Sequence, residues 1–179
     1  MDELVDILDK DGNYTGETVL KSKVHKLGLF HPTVHVWCYS RFGWVLLQQR
    51  GAHKRTYPLK WDVSVAGHVG AGESPEQSAL REVEEEIGVS ITIEQLEKMA
   101  VLMIEKKHTT KIWDREFVHV FLYQMEMHTP LTKQESEVNA LEWISLQEFE
   151  KRIQNKYQGF VPQSAERHLK VLNAIQSRL

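Results

Sequence analysis

The stretch GHVGAGESPEQSALREVEEEIGV, Gly67 to Val89, decides how this chain is read. Its centre is a helix with both ends written into the sequence. Ser74-Pro75-Glu76-Gln77 supplies an N-cap hydroxyl, a proline at the first helical position and a glutamine at the third, the pattern of a capping box. Gly88 supplies the stop. On a helical wheel Leu80, Val83 and Ile87 fall together as the buried stripe. Glu82, Glu85 and Glu86 sit at i, i+3 and i+4 on the side away from it and are expected to be exposed. Glu84 points elsewhere, into solvent. Like charges one turn apart repel by about 0.2–0.5 kcal/mol per pair. A glutamate run on a surface helix is usually just a solvated face. Three hard oxygen donors on one rigid face also suit Mg²⁺ or Mn²⁺, which keep several waters and engage substrate phosphates. A divalent cation would turn the repulsion into affinity.

Outward from this helix the chain is mostly strands. Leu4 to Leu8 and Glu17 to Leu20 read as an N-terminal hairpin, within about residues 1–25, turning at DKDGN. Thr33 to Ser40 alternates, with Val34, Val36 and Cys38 on one side and His35, Trp37 and Tyr39 on the other. Arg41-Phe42-Gly43 turns it into a second strand, Trp44 to Gln49. A polar, basic loop, GAHKRTYPLK, runs from Gly51 to Lys60, and Trp61 to Ala66 is extended again. Lys98 to Lys106 and Glu116 to Met125 read as long strands, Ala140 to Ile144 as the last strand and Leu146 to Ile153 as a helix. A closing amphipathic helix, at about 163–179 with the tail counted from Ser164, carries Ala165, Leu169, Leu172 and Ile175 at helical spacing. Strands with helices inserted predict a mixed β-sheet covered by helices, α+β or three-layer α/β/α.

The 179 residues, 41% of them hydrophobic, suit one domain spanning 1–179. A net charge of −3 with both signs interspersed gives no electrostatic basis for nucleic acid or an anionic membrane. The single cysteine, Cys38, excludes an intrachain disulfide and points to a reducing compartment. The start, MDELVDILDKDG, has no cationic flank before a long apolar run, and no apolar stretch approaches the ~18 residues of a membrane span. A soluble, cytoplasmic protein is expected. Its state, monomer or homodimer, is left open.

The central stretch resembles the Nudix box. Gly67, five residues, Glu73, seven residues, Arg81-Glu82, aliphatic Val83, one residue, Glu85-Glu86, one residue, Gly88 and aliphatic Val89 fill each defining position. The resemblance implies the Nudix fold, a mixed sheet sandwiched between helices. It also implies cleavage of a small-molecule substrate in which a diphosphate joins a nucleoside, or a related group, to a moiety X. Carried onto this chain, Glu82, Glu85 and Glu86 would hold Mg²⁺ or Mn²⁺, with Glu73 an auxiliary metal or structural carboxylate. Arg81 would orient the box carboxylates, and Gly67 and Gly88 would permit tight turns. The chemistry is consistent with this, because water attack on a diphosphate needs charge neutralisation and a deprotonated water.

A narrower resemblance covers most of the chain. DKDGNYTG, then VHKLGLFHPTVHVW, then LLQQRGAHKRTYPLKWDVSVAGH look like isopentenyl-diphosphate isomerase and the isomerase-like Nudix hydrolases. The isomerase carries a catalytic cysteine two residues before the histidine of this last stretch; here that position is Ala66. Cys38 lies on a different predicted strand. The absent thiol and the complete box both favour hydrolysis. By the same resemblance His25, His31 and His68 match the isomerase's metal-binding histidines, with the first spacing one residue shorter, and Asp114 and Glu116 match its acidic pair. A histidine-rich site would favour a softer ion such as Zn²⁺ or Mn²⁺. Arg50, Lys54 and Lys21 match its diphosphate-gripping cations. The general base is one of Glu82, Glu116 and Glu137, the last because Nudix enzymes often draw a glutamate from the loop before the final strand. For Trp37, Trp61 and Trp113, core packing is the expected role.

Overall fold

From β1 (Leu4–Leu8) and β2 (Tyr14–Leu20) the chain passes through a short helix, α1 (Lys21–Leu27), into β3 (His31–Ser40), the strand that frames the molecule. The computed structural model describes residues 2–162 and 165–179. Nearly every residue of β3 is buried, on both faces. Val34, Val36 and Cys38 pack against Ala79, Val83 and Ile87 of α2 (Pro75–Ile87). Trp37 and Tyr39 pack the other way, against Phe149 and Ile153 of α3 (Leu146–Gln154) and Val171, Leu172 and Ile175 of α4 (Ala165–Gln176). A strand that is apolar in both directions must lie between two layers. The architecture is accordingly α2, sheet, α3–α4, as predicted from the order of elements.

The sheet is mixed. β3 runs parallel to β8 (Ile112–Gln124). It runs antiparallel to β4 (Trp44–Arg50) and β6 (Val65–His68). β5 (Trp61–Asp62) and β9 (Val138–Ser145) flank β4, and β7 (Leu96–Thr109) flanks β8. β3 and β4 pair only at Tyr39↔Val45 and Ser40↔Trp44. Beyond that hairpin they part, and β6 takes the place beside β3 from Thr33↔His68 to Val36↔Val65. The parted ends supply residues to a cleft of about 990 Å³.

Several expectations are corrected by packing. Leu80 is only half-buried, and the inward stripe of α2 is Ala79, Val83 and Ile87, joined by Glu82 and Glu86 at 8% and 2% exposure. Glu82 and Glu86 are therefore not exposed: the wheel cannot see that β6 lies against this side of the helix. Lys21–Leu27 is helical, whereas the sequence reads as hairpin to about residue 25. α1 has no side-chain cap at its N-terminus and is held by the burial of Val24 with Val5 and Ile7 and by Gly28, whose left-handed φ of 63° lets its N–H reach Val24 O. The run from Trp61 to Ala66, read as extended, holds the short strand Trp61–Asp62 and the start of Val65–His68. In α4, Leu169 is 36% exposed, and His168 and Val171 stand with Leu172 and Ile175 on the buried side. Gln163 and Ser164, at the expected start of that helix, lie outside the described residues. Among the described residues no helix is long and apolar enough to cross a membrane.

Candidate active site

α2 is placed by its cap: Ser74 Oγ accepts from Gln77 N at 3.2 Å and Gln77 Oε1 accepts from Ser74 N at 2.8 Å. This sets the glutamates against β6. Gly67, on β6, is required by the approach, since a Cβ there would lie 2.0 Å from Glu82 Cδ. One turn on, Glu86 Oε2 accepts from Ala66 N at 3.0 Å and from Gln48 Nε2 at 2.7 Å. Burial pushes the Glu86 carboxyl up to about 7 and raises that of Glu82, where Arg81 partly opposes the effect. Two desolvated carboxyls face one cleft, and a cation is the natural complement to such a pair.

Arg81 ties the rest together. Its Nη1 donates to Glu82 at 2.8 Å and to Glu85 at 3.3 Å; its Nη2 donates to Glu73 at 3.2 Å and to the His68 carbonyl at 3.1 Å. Glu73 also accepts from Ser78 Oγ at 2.5 Å. Burial works against ionisation of Glu73, but Ser78 and Arg81 outweigh it and hold the carboxyl below its ordinary value. Glu85 stands at the rim with its side chain 47% exposed.

The histidines form a second constellation on the adjoining wall. His25, His31 and His68 present ligand atoms within 4.8 Å of one another, and so do His25, Asp114 and Glu116. His25 Nε2 and His68 Nε2 are 3.1 Å apart. His25 Nδ1 lies 2.9 Å from Asp114 Oδ1, an ion-pair distance without hydrogen-bond alignment. His108 Nε2 is 2.6 Å from the other oxygen of Asp114. His31 Nδ1 is 3.0 Å from the Leu29 carbonyl, while its buried Nε2 makes no hydrogen bond and lies 3.9 Å from Glu116 Oε1. That pattern, one ring nitrogen anchored to a carbonyl and the other without a hydrogen bond, is how metal-ligating histidines are oriented. Burial, with a lesser push from Asp114, raises the Glu116 carboxyl to about 7. The described groups with this tight mutual spacing are the histidine sets; the three box glutamates share the cleft without it.

Lys21, Arg50, Lys54 and Glu137 all line the same cleft. Lys21 lies 3.8 Å from Glu3, and Lys54 is paired with Glu137. Arg50 is more confined: Nη1 meets Asp62 at 3.2 Å, and Nε and Nη2 meet Thr56. Trp37 is buried in the core, and Trp113 lies under the Arg115 guanidinium at 3.7 Å. Cys38 is buried, which pushes its thiol up to about 12 and leaves it inert. Sequence reasoning missed Gln48, Thr33, His35, Asp62, His108 and Arg167, which grip Glu86, orient Asp114 or line the cleft. The available signal was polarity inside buried strands, as in LLQQR and HPTVHVWCYS.

Known proteins resemble this chain in sequence and in fold. Residues 29–163 match the family model described as NUDIX domain. The chain is 34% identical over 166 residues to Nudix hydrolase 3 of Arabidopsis thaliana, covering 90% of this chain but 22% of that protein, so it corresponds to only a minor part of that relative. It is 34% identical over 162 residues to an uncharacterized Nudix hydrolase of Clostridium acetobutylicum, covering 88% of this chain and 77% of the other. A solved structure from Deinococcus radiodurans matches with a TM-score of 0.73, covering 94% of this chain and 98% of that one; at 20% identity this speaks to fold alone.

Proposed function

This chain belongs to the Nudix family, and from that premise we propose that it is a divalent-metal-dependent hydrolase of a small diphosphate-containing metabolite, with water attacking phosphorus. The observation that carries the reading is the burial of Glu82 and Glu86 against β6, beside Lys21, Arg50 and Lys54 in one cleft. The donor set fits Mg²⁺ or Mn²⁺: hard carboxylate oxygens, with Glu86 Oε2 already held by two N–H donors. Glu82, Glu85 and Glu86 would hold the ion, with Glu73 behind Arg81 as the supporting carboxylate. When bound, such an ion would supply charge neutralisation to the phosphates and make the attacking water more acidic. His25, His31 and His68, with Asp114 and Glu116, form a second set suited to Mn²⁺ or Zn²⁺, since imidazole nitrogen favours the softer ions.

The protein's own groups position the substrate and move the proton. Lys54 exchanges its partner Glu137 for a phosphate oxygen, Lys21 supplies a second point charge, and Arg50 offers its guanidinium from the wall. A water oxygen forms a bond to phosphorus, the phosphoanhydride P–O bond breaks, and its electron pair leaves with the departing phosphate. The water's proton passes to one of Glu82, Glu116 and Glu137. Of these, Glu116 has a carboxyl raised close to neutrality, the range in which a base works best at neutral pH. A phosphate-release screen over nucleoside, sugar, coenzyme and isoprenoid diphosphates, with Mg²⁺ or Mn²⁺ and with a chelator, tests the proposal. Release that requires the metal supports it; none across the screen overturns it.

The histidine set beside Glu116 favours one other reading, isomerisation of isopentenyl diphosphate. Against it, the position from which a thiol would serve the allylic carbon is Ala66. Incubation with isopentenyl diphosphate decides the matter: the dimethylallyl isomer without phosphate release would establish the isomerase.

A further inference from the structure

Thr33 and His35 put polar side chains on the face of β3 where Trp37 and Tyr39 build the α3–α4 core. Both line the cleft. Thr33 is 4% exposed, and its Oγ1 faces the Glu116 carboxyl, whose ionised form it favours, without forming a well-aligned hydrogen bond. A buried hydroxyl without a well-formed bond is penalised unless something supplies one. His35 is the cross-strand neighbour of Ala66, whose N–H holds Glu86, so this wall adjoins the carboxylates. Asp62, 8% exposed, lines the same cleft paired with Arg50, and the charges of Asp62, Arg50 and Arg167 all act on His35. Sequence patterning alone would have filled these positions with aliphatic residues.

We propose that this wall is the subsite for the group X beyond the diphosphate, and that Thr33 and His35 select a hydroxylated, sugar-like group over a hydrocarbon chain. The inference rests on the hydrolase reading, which places a diphosphate at the neighbouring carboxylates. A hydroxyl donates and accepts at once. The wall answers in kind: the Thr33 hydroxyl and a neutral imidazole each offer a donor and an acceptor, and Asp62 offers acceptors. A prenyl chain would seal Thr33 Oγ1 and the His35 ring from water with no bond in return. An additional anionic group would meet the Asp62 carboxylate.

Calorimetric binding to the full chain with Mg²⁺ tests this, using three non-cleavable probes: bare methylenebisphosphonate, its ribosyl ester and its prenyl ester. The ribosyl ester is expected to bind at least about tenfold more tightly than the prenyl ester. Thr33→Val and His35→Phe should each erode that preference several-fold. Thr33→Val should melt close to the native protein, because the hydroxyl it removes has only a poorly aligned neighbour in Glu116 and the shape is kept. Equal or tighter binding of the prenyl ester, or a preference unchanged in both variants, overturns the subsite. Failure of the bare compound to bind overturns the diphosphate site itself and the subsite with it, so the two failures are told apart.

Discussion

Glu86 is 2% exposed and has its carboxyl raised to about 7 by burial, yet two N–H donors point at one of its oxygens. The fold holds it where an ionised carboxylate is costly unless a cation arrives. Glu86→Gln keeps an acceptor for Ala66 N and Gln48 Nε2 while removing the charge. We predict loss of metal-dependent turnover by about a hundredfold or more. In metal-free buffer at pH 8 its thermal midpoint should equal or exceed the native one, since a buried unpaired charge is gone; a lower midpoint would contradict this. Gly67→Ala is the converse case. Its Cβ would displace Glu82, so metal affinity measured by calorimetry should fall at least about tenfold, with a stability loss of about 1–3 kcal/mol from overpacking. That Glu82, Glu85 and Glu86 share one side of α2 was legible from their spacing, and all three line the cleft. The burial of Glu82 and Glu86 was not legible, because a helical wheel contains no β6. Gln48, Thr33, His35 and Asp62 were legible only as oddities, polar residues in strands too apolar to face water.

At the scale of the element, α2 is the part most completely written in the sequence, from its capping box to its left-handed stop at Gly88. Ser74→Ala removes the acceptor for Gln77 N and should cost about 1 kcal/mol, read from a denaturant midpoint. No change would mean that packing against β3, not the cap, fixes the start of the helix. α1 is the opposite case. Seven residues are too few to hold a helix by propensity. Its stability comes from Val24 beneath Val5 and Ile7, contacts that exist only after folding. The same long-range dependence hid the histidine constellation: His25 comes from α1, His31 from the start of β3 and His68 from the end of β6. Resemblance to a known family suggested their grouping; periodicity alone could not.

Over the whole molecule, the two-sided sheet was legible in the alternation of β3, while the parting of β3 and β4 that opens the cleft was not, since strand registers are set by partners distant in sequence. The buried histidines give the molecule a definite response to acid. Burial lowers His31, His35 and His168 to about 4, and His68 also falls well below 6.5. Between those values the unfolded chain binds more protons than the folded one, so their contribution to stability is complete above 6.5 and is lost as pH falls toward 4. Glu86 and Glu116, raised from 4.5 to about 7, act with the opposite sign, favouring the fold most below 4.5 and losing that favour as pH rises to 7. Burial also lowers His119 and raises Glu82, so five groups oppose three, and the thermal midpoint should fall on acidification from pH 6.5 to 4.5. His168→Phe, at a site walled by Trp37, Phe149 and Phe160, should make that fall shallower; an unchanged slope would contradict the assignment. The central claim is that a metal-supported water attacks phosphorus in this cleft. Its most direct test is cleavage in heavy-oxygen water of a diphosphate that the release screen finds to be turned over, with mass analysis of both products. The label should enter a phosphoryl product, and only when Mg²⁺ or Mn²⁺ is present; label in the organic alcohol, or labelled phosphate formed equally well under chelation, would contradict it.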